Sequence, residues 1–235
     1  MKAKKFKIIG IFIIIVCLIY YNTHYAKIGS RTFKTDVKEI NFVDLDNNRN
    51  IRQLNKCREV ENLFITANKE NSFSKLRNFH NLTLLMIANC NISSKDCEKI
   101  SQFDKLENLY FNWCDIDFTG FNSDTISYIQ LYSSDIKNFK PLAECKSLKD
   151  ICIVDSTISD CIIKENDKKY VMKDSSIFAD FDYLEELWLS YVNSIEDISG
   201  ILEMDSLKTL KVKKEAISED NVKLLEDKGV TVTYY

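Results

Sequence analysis

The chain has 235 residues and a formal charge of −3 at neutral pH, and its five glycines and single proline leave no stretch with the composition of a flexible linker between two domains. An acidic chain of this kind is a poor electrostatic match for nucleic acid. Two histidines and the absence of any CxxC pair leave little from which to build a zinc site.

In chain order, the first element is a basic head, residues 1–7, with Lys2, Lys4, Lys5 and Lys7, followed by the apolar run Ile8 to Tyr21. Basic residues ahead of such a run are the pattern of an export signal or a membrane anchor. The run of 14 residues is shorter than the ~20 of a typical span, but Tyr20, Tyr21 and Tyr25 suit an interface and the lysines can snorkel. No small-residue cleavage site follows, and Val16 precedes Cys17 where lipidation calls for a small residue. The expectation is a single-pass signal anchor at 8–21, with the head in the cytoplasm and the rest of the chain outside, at the cell surface or envelope. A cleaved signal, giving a secreted protein, and a lipidated Cys17 are the alternatives. Without the four head lysines the formal −3 becomes −7 for residues 8–235, and residues 22–36 read as a polar tether.

From residue 37 apolar residues recur at positions 0, +3 and +5 of a unit that restarts every 20 to 24 residues, one longer interval aside. The triplets are Val37/Ile40/Phe42, Val60/Leu63/Ile65, Leu82/Leu85/Ile87, Leu106/Leu109/Phe111, Ile126/Ile129/Leu131, Leu148/Ile151/Ile153, Leu184/Leu187/Leu189 and Leu207/Leu210/Val212. Positions +3 and +5 point to one face of a strand and +2, +4 and +6 to the other. One such strand cannot exclude water alone, so successive coils must stack into a solenoid before a core exists. The residue at +8 (Asn68, Cys90, Cys114, Ser134, Ser156) is expected to be buried against backbone that the turn leaves unpaired. In the four central units an Ile follows at +10 (Ile92, Ile116, Ile136, Ile158).

Two stretches carry a family resemblance: ISYIQLYSSDIKNFKPLAECKSLKDICI from Ile126, and LEELWLSYVNSIEDISGILEMDSLKTLKV, with its IxDIS step, from Leu184. Over residues 37–235 the chain resembles bacterial leucine-rich-repeat proteins of the internalin-like, SDS22-like class. The resemblance implies an α/β leucine-rich-repeat solenoid of about eight coils, with a curved parallel sheet on the concave face. The three-residue stride Ile136, Phe139, Leu142, Cys145, Leu148 predicts short 3₁₀ or helical return segments on the convex side. Departures from the pattern are the weak units opened by Val37 and Val60, the +10 residues Asn47 and Glu70, and a one-residue phase slip at Val192 to Ile195.

The interval from Leu148 to Leu184 is 36 residues, so about 14 are inserted near 159–180. The charged stretch from Lys164 to Lys169 reads as a tolerated, solvated loop, with Tyr170-Val171-Met172 as a short extra strand. Residues 218–235 read as a cap: Ser218 as helix N-cap with Glu219 and Asp220 in the first turn, Gly229 past the helix, and a last strand.

Eight cysteines in an exported chain would ordinarily suggest disulfides. The register argues for buried thiols instead, because Cys57 and Cys145 share an apolar column with Phe79, Phe103, Phe181 and Met204. Cys90 and Cys114, one coil apart, remain close enough for a bond. No histidine neighbours a periodic Ser or Cys, no Gly-rich phosphate loop is present, and Asp115/Asp117 and Glu185/Glu186 read as solvated charge. An enzyme is not expected, nor a cofactor or a metal. A hydrolase would need Asp160, Glu165 and Asp167 of the insert to converge on the concave face.

Recognition remains, on the outward strand positions. Phe64, Met86, Tyr110 and Trp188, flanked by Tyr128 and Tyr132, are the candidate partner-binding residues, with Trp113 and Tyr191 at +7 on the rim as secondary candidates. Exposed aromatics of this kind are enriched at protein interfaces. The expected function is non-enzymatic binding of a protein or peptide ligand by a module displayed at the membrane. A self-associating cell-envelope scaffold is the alternative.

Overall fold

The structure is a computed structural model that describes residues 2–45, 48–66, 73–77, 79–166 and 169–235, with the side chains of 2–12, 74 and 166 outside the description. The head lysines' side chains, Asn47, Asn68, Glu70 and Asp167 therefore lie outside the described residues.

Among the described residues, nine strands form one large sheet in the order Glu39–Asp44, Asn62–Thr66, Leu84–Ala88, Asn108–Asn112, Tyr128–Tyr132, Asp150–Val154, Glu186–Ser190, Thr209–Val212 and Thr231–Tyr234. All neighbouring pairs are parallel. Identical repeat positions lie opposite one another: Leu63, Leu85, Leu109, Ile129, Ile151, Leu187 and Leu210 form one inward ladder. Every member of that ladder is at most 1% exposed, so the core is continuous along the solenoid.

After each central strand the chain turns through a left-handed residue at +7: Asn89, Trp113, Ser133, Asp155 and Tyr191 have φ between 47° and 68°. The residue at +8 then satisfies buried backbone. Ser134 Oγ accepts from Cys114 N at 3.1 Å and donates to Tyr132 O at 2.9 Å, and Ser156 Oγ accepts from Ser134 N at 3.0 Å and donates to Val154 O at 2.8 Å. Among the described residues a second sheet of seven short strands follows these turns, in the order Asn91–Ile92, Asp115–Asp117, Asp135–Lys137, Thr157–Ile158, Ile162–Asn166, Lys169–Met172 and Val192–Ile195. The return segments are short helices such as Ser94–Ile100 and Ser199–Glu203 and 3₁₀ turns such as Lys140–Glu144. Beneath them Phe118, Phe139, Phe178 and Phe181 pack ring to ring, 5.5 to 6.5 Å apart.

Four expectations are corrected. The apolar run does lie within a helix, Lys2–His24, but among the described residues no helix is long and apolar enough to cross a membrane. At about 1.5 Å per residue the run spans roughly 21 Å against a hydrocarbon core of about 30 Å. The single-pass anchor at 8–21, the membrane crossing through it and the membrane-anchored location built on it are therefore overturned.

The 22–36 segment, expected as a polar tether, contains an antiparallel hairpin, Tyr25–Ile28 with Arg31–Lys34. Its two-residue turn, Gly29-Ser30, starts at φ 57°, where glycine carries no Cβ penalty. Ala26 and Ile28 are buried, and Gly29 N donates to Asn50 Oδ1 at 3.0 Å on the helix Asn48–Leu54. The hairpin thus closes the first coil. It also receives the end of the long helix, where His24 O accepts from Thr35 N at 2.9 Å.

Phe42, expected inward, is 64% exposed. The register slips between Ile40 and Val43, Phe42 takes φ 51°, and Val43 fills the place opposite Ile65.

The insert, expected as a solvated loop from Lys164 to Lys169 with a short strand at Tyr170-Val171-Met172, forms two rungs of the small sheet: the strand is present within Lys169–Met172, and a second, Ile162–Asn166, takes in the charged residues from Lys164. Ile158 pairs with Ile162, Ile162 with Met172, and Met172 with Ile195. Cys161, Ile162, Tyr170, Val171 and Met172 are buried. The large sheet meanwhile passes directly from Asp150–Val154 to Glu186–Ser190, so the extra strands lengthen one side of the solenoid only.

Candidate functional site

Alternation along each strand leaves the +4 positions on the outer face, and the parallel register joins them into one column: Phe64, Met86, Tyr110, Gln130, Cys152, Trp188 and Lys211. Beside it the +2 positions run Asn62, Leu84, Asn108, Tyr128, Asp150, Glu186 and Thr209. The four strands from Asn62 to Tyr132 place no charged side chain on this face.

The candidate residues fall into groups. Phe64, Met86 and Tyr110 occupy successive rungs and are half-buried by their neighbours. Tyr110 and Tyr128 rings meet at 5.4 Å, and Tyr128 OH donates to Gln130 Oε1 at 3.1 Å. Burial, then the neighbouring Cys152 and Tyr110, push the Tyr128 phenol well above its usual range, so it stays a neutral donor. Tyr132 is set apart, with its ring edge-on to Trp113 at 5.4 Å. Trp188 lies three rungs from Tyr110, roughly 14 Å at the usual strand spacing, and Gln130 and Cys152 stand between them. Lys211 Nζ sits 4.4 Å above the Trp188 ring, and the Tyr235 ring lies 6.4 Å away.

Trp113 and Tyr191 are 55% and 60% exposed. Both hold the left-handed conformation, with φ 55° and 68°, which Asn and Asp adopt more readily than bulky residues. The Tyr191 N–H donates to Tyr235 OH at 2.6 Å.

Four participants were missed from the sequence. The Phe42 ring lies tilted, 5.9 Å from that of Phe64, because of a bulge that no periodicity announces. Tyr235 folds back over the face, and the sequence carried no signal for it. Lys211 and Cys152 were legible from the register, as +4 residues. Cys152 is only 3% exposed on the outer face, and burial pushes its thiol up to about 11.

The acids on this face differ in their surroundings. Glu185 is held by Lys149 and Lys208, and the Lys208 contact leads in lowering its carboxyl. Asp150 and Glu186 stand side by side on adjacent strands, and neither has an ion-pair partner among the described residues. Burial, then the charges of Glu186 and Glu185, raise the Asp150 carboxyl.

Elsewhere, Glu165 of the insert bonds Lys169 and Lys173, and Asp117 accepts from Asn138 and Thr119, so these acids serve local structure. His80 contacts Asp104 at 3.2 Å in the open. Among the described residues no group of three His, Cys, Asp or Glu could hold a metal ion, and every cysteine is a free thiol, all but Cys17 buried.

No protein-family model matches the chain, and no curated protein matches it by sequence. Among solved structures, internalin C2 from Listeria monocytogenes is similar to it with a TM-score of 0.54 at 16% identity, covering 88% of this chain and 86% of that one. A leucine-rich-repeat protein of Leptospira interrogans reaches 0.49 at 12% identity, over 77% of this chain and 50% of that one. Internalin F from Listeria monocytogenes reaches 0.38 at 16% identity, over 78% and 69%. The likeness to internalin C2 establishes the fold, a leucine-rich-repeat solenoid, and at this identity nothing beyond the fold follows from it.

Proposed function

We propose that the protein is a non-enzymatic recognition module that binds a protein or peptide on the outer face of its large sheet. The supporting observation is the in-register run Phe64, Met86 and Tyr110 with Tyr128 beside it, half-buried and flanked by no charge over four strands. A repeat core needs only its inward positions to be apolar. Large apolar groups at outward positions gain little from folding and much from being covered by a partner, where aromatic anchors concentrate binding energy. Because the parallel ladder spaces these groups on rigid backbone, binding them costs little ordering entropy on this side.

The test is affinity capture with photo-crosslinking from cells that express the protein, comparing wild type with Tyr110→Ala and Trp188→Ala. Each variant should keep the wild-type melting temperature, since neither side chain belongs to the core. Recovery of the crosslinked partner should fall at least about tenfold. Unchanged recovery with both variants refutes the site.

A further inference from the structure

Resting on that reading, we infer that the partner segment is extended, crosses the strands, and sets a Lys or Arg side chain between Tyr128 and Trp188 at Asp150 and Glu186, about four residues from the apolar side chain that covers Tyr110. Charge on the outer face carries the inference. The outward positions are neutral from Asn62 to Tyr132, and the next two strands bring Asp150 and Glu186 directly alongside each other. Like charges on neighbouring rungs are unfavourable in the free protein, and the nearby lysines make their direct contacts with other groups, Lys149 acting on Asp150 only as a neighbouring charge. Lys149 and Lys208 hold Glu185, while Lys211 lies over Trp188. Among the described residues neither carboxylate has an ion pair, and a cation supplied from outside would complete one.

Aromatic walls reinforce the choice. Tyr128 is the in-register neighbour of Asp150 on one side, and Trp188 follows Glu186 by two positions on the same face. Trp188 already takes a cation against its ring, that of Lys211, so its surroundings suit the aliphatic stem and charged head of Lys or Arg. The spacing follows from geometry. From Tyr110 to the midpoint of Asp150 and Glu186 is two and a half rungs and a two-residue offset along the strand, roughly 14 Å or about four residues of extended chain.

The test uses the full-length protein and short synthetic peptides in which one Phe and one Arg are set at every spacing in a Ser/Gly background, with a matched set carrying Gln for Arg. Wild type should retain Phe/Arg peptides at least about tenfold better than Phe/Gln peptides at low salt, best near a spacing of about four, with the preference shrinking as salt rises. Asp150→Asn with Glu186→Gln should abolish the preference while leaving the melting temperature unchanged or raised. Glu186→Gln alone, at an exposed position, should weaken the preference even if the double variant folds poorly. Equal retention of the two peptide sets, a preference that survives in the variants, or no retention of any peptide overturns the inference. Tyr110→Ala separates the two readings: if it lowers retention of both sets equally while Asp150→Asn with Glu186→Gln changes nothing, the outer face binds and the charge assignment fails.

Discussion

Replacing Gly200 by alanine tests how the coils are held together. A Cβ at this position would lie 2.0 Å from Ser175 O, 2.5 Å from Ser175 C and 2.7 Å from Ser176 Cα. All three are backbone atoms, so no side chain can swing aside, and the segments must separate by more than 1 Å to restore contact distance, about the shift that also breaks the Gly200 N to Ser175 Oγ bond. Overpacking of a rigid site costs up to about 3 kcal/mol, and the lost buried hydrogen bond adds about 1 kcal/mol. The helix Ser199–Glu203 returns up to about 1 kcal/mol because alanine is the better helix former. The net loss is about 3 kcal/mol, which for a chain of this length lowers the melting temperature by roughly 6 to 12 °C. Thermal melts followed by far-ultraviolet circular dichroism read this directly. Gly229→Ala is the control, since it has open space around it and a φ of 92°, and it should cost only about 1 to 2 kcal/mol of backbone strain. A Gly200→Ala variant that melts with or above wild type refutes the close-approach argument.

Further outcomes are expected. Ser156→Ala leaves the buried Ser134 N–H without its 3.0 Å acceptor and should lower stability by about 1 to 3 kcal/mol in urea titration; an unchanged midpoint would mean that the turn repairs itself. The Asp197 carboxyl accepts from Ser175 and Ser199 and is held at about 2, chiefly by the Ser175 backbone N–H. Its contribution is present above the unfolded value of 3.8 and disappears as pH falls toward 2. Discounted for solvent screening it is roughly 1 kcal/mol, so the stability gap between wild type and Asp197→Asn should hold above pH 4 and close by about pH 2, whereas a gap independent of pH would show that charge is not the cause. Burial pushes the Cys57 and Cys114 thiols up to about 11 and those of Cys90 and Cys161 to about 12. Iodoacetamide at neutral pH should therefore modify Cys17 in the folded protein and the others only after denaturation, as mass spectrometry would show; rapid native labelling of Cys90 or Cys161 contradicts that burial.

The core was legible because a repeat states its rule many times over. Each coil must send +3 and +5 inward to share a core with its neighbours, so Leu63 and Leu210 obey the same constraint. The buried serines and cysteines at +8 followed from the same register, since the turn there leaves backbone groups that only an inward side chain can meet. The ends and the insert were less legible, because there the rule stops being repeated. Gly29-Ser30, directly after the alternating Ala26 and Ile28, did carry a hairpin signal, obscured by the charged residues around it. Within the insert the strand at Tyr170-Val171-Met172 was legible, but its partner from Ile162 was not, because Lys164 and Glu165 make that stretch look solvated.

Away from the bulge at Phe42, the amino-acid sequence by itself determined which strand side chains point to the core and which to the other face, because that follows from a strand period of two and needs no partner. It therefore specified Phe64, Met86, Tyr110 and Trp188 as outward residues. Only the tertiary structure decided which of them meet. Distance across the solenoid depends on how many rungs separate two coils, on the bulge that turns Phe42 out toward Phe64, and on the chain end that brings Tyr235 beside Trp188. Gly200 shows the same division: its place after the Asp-Ile-Ser step is written in the sequence, and the backbone of Ser175 against which it packs belongs to the preceding coil.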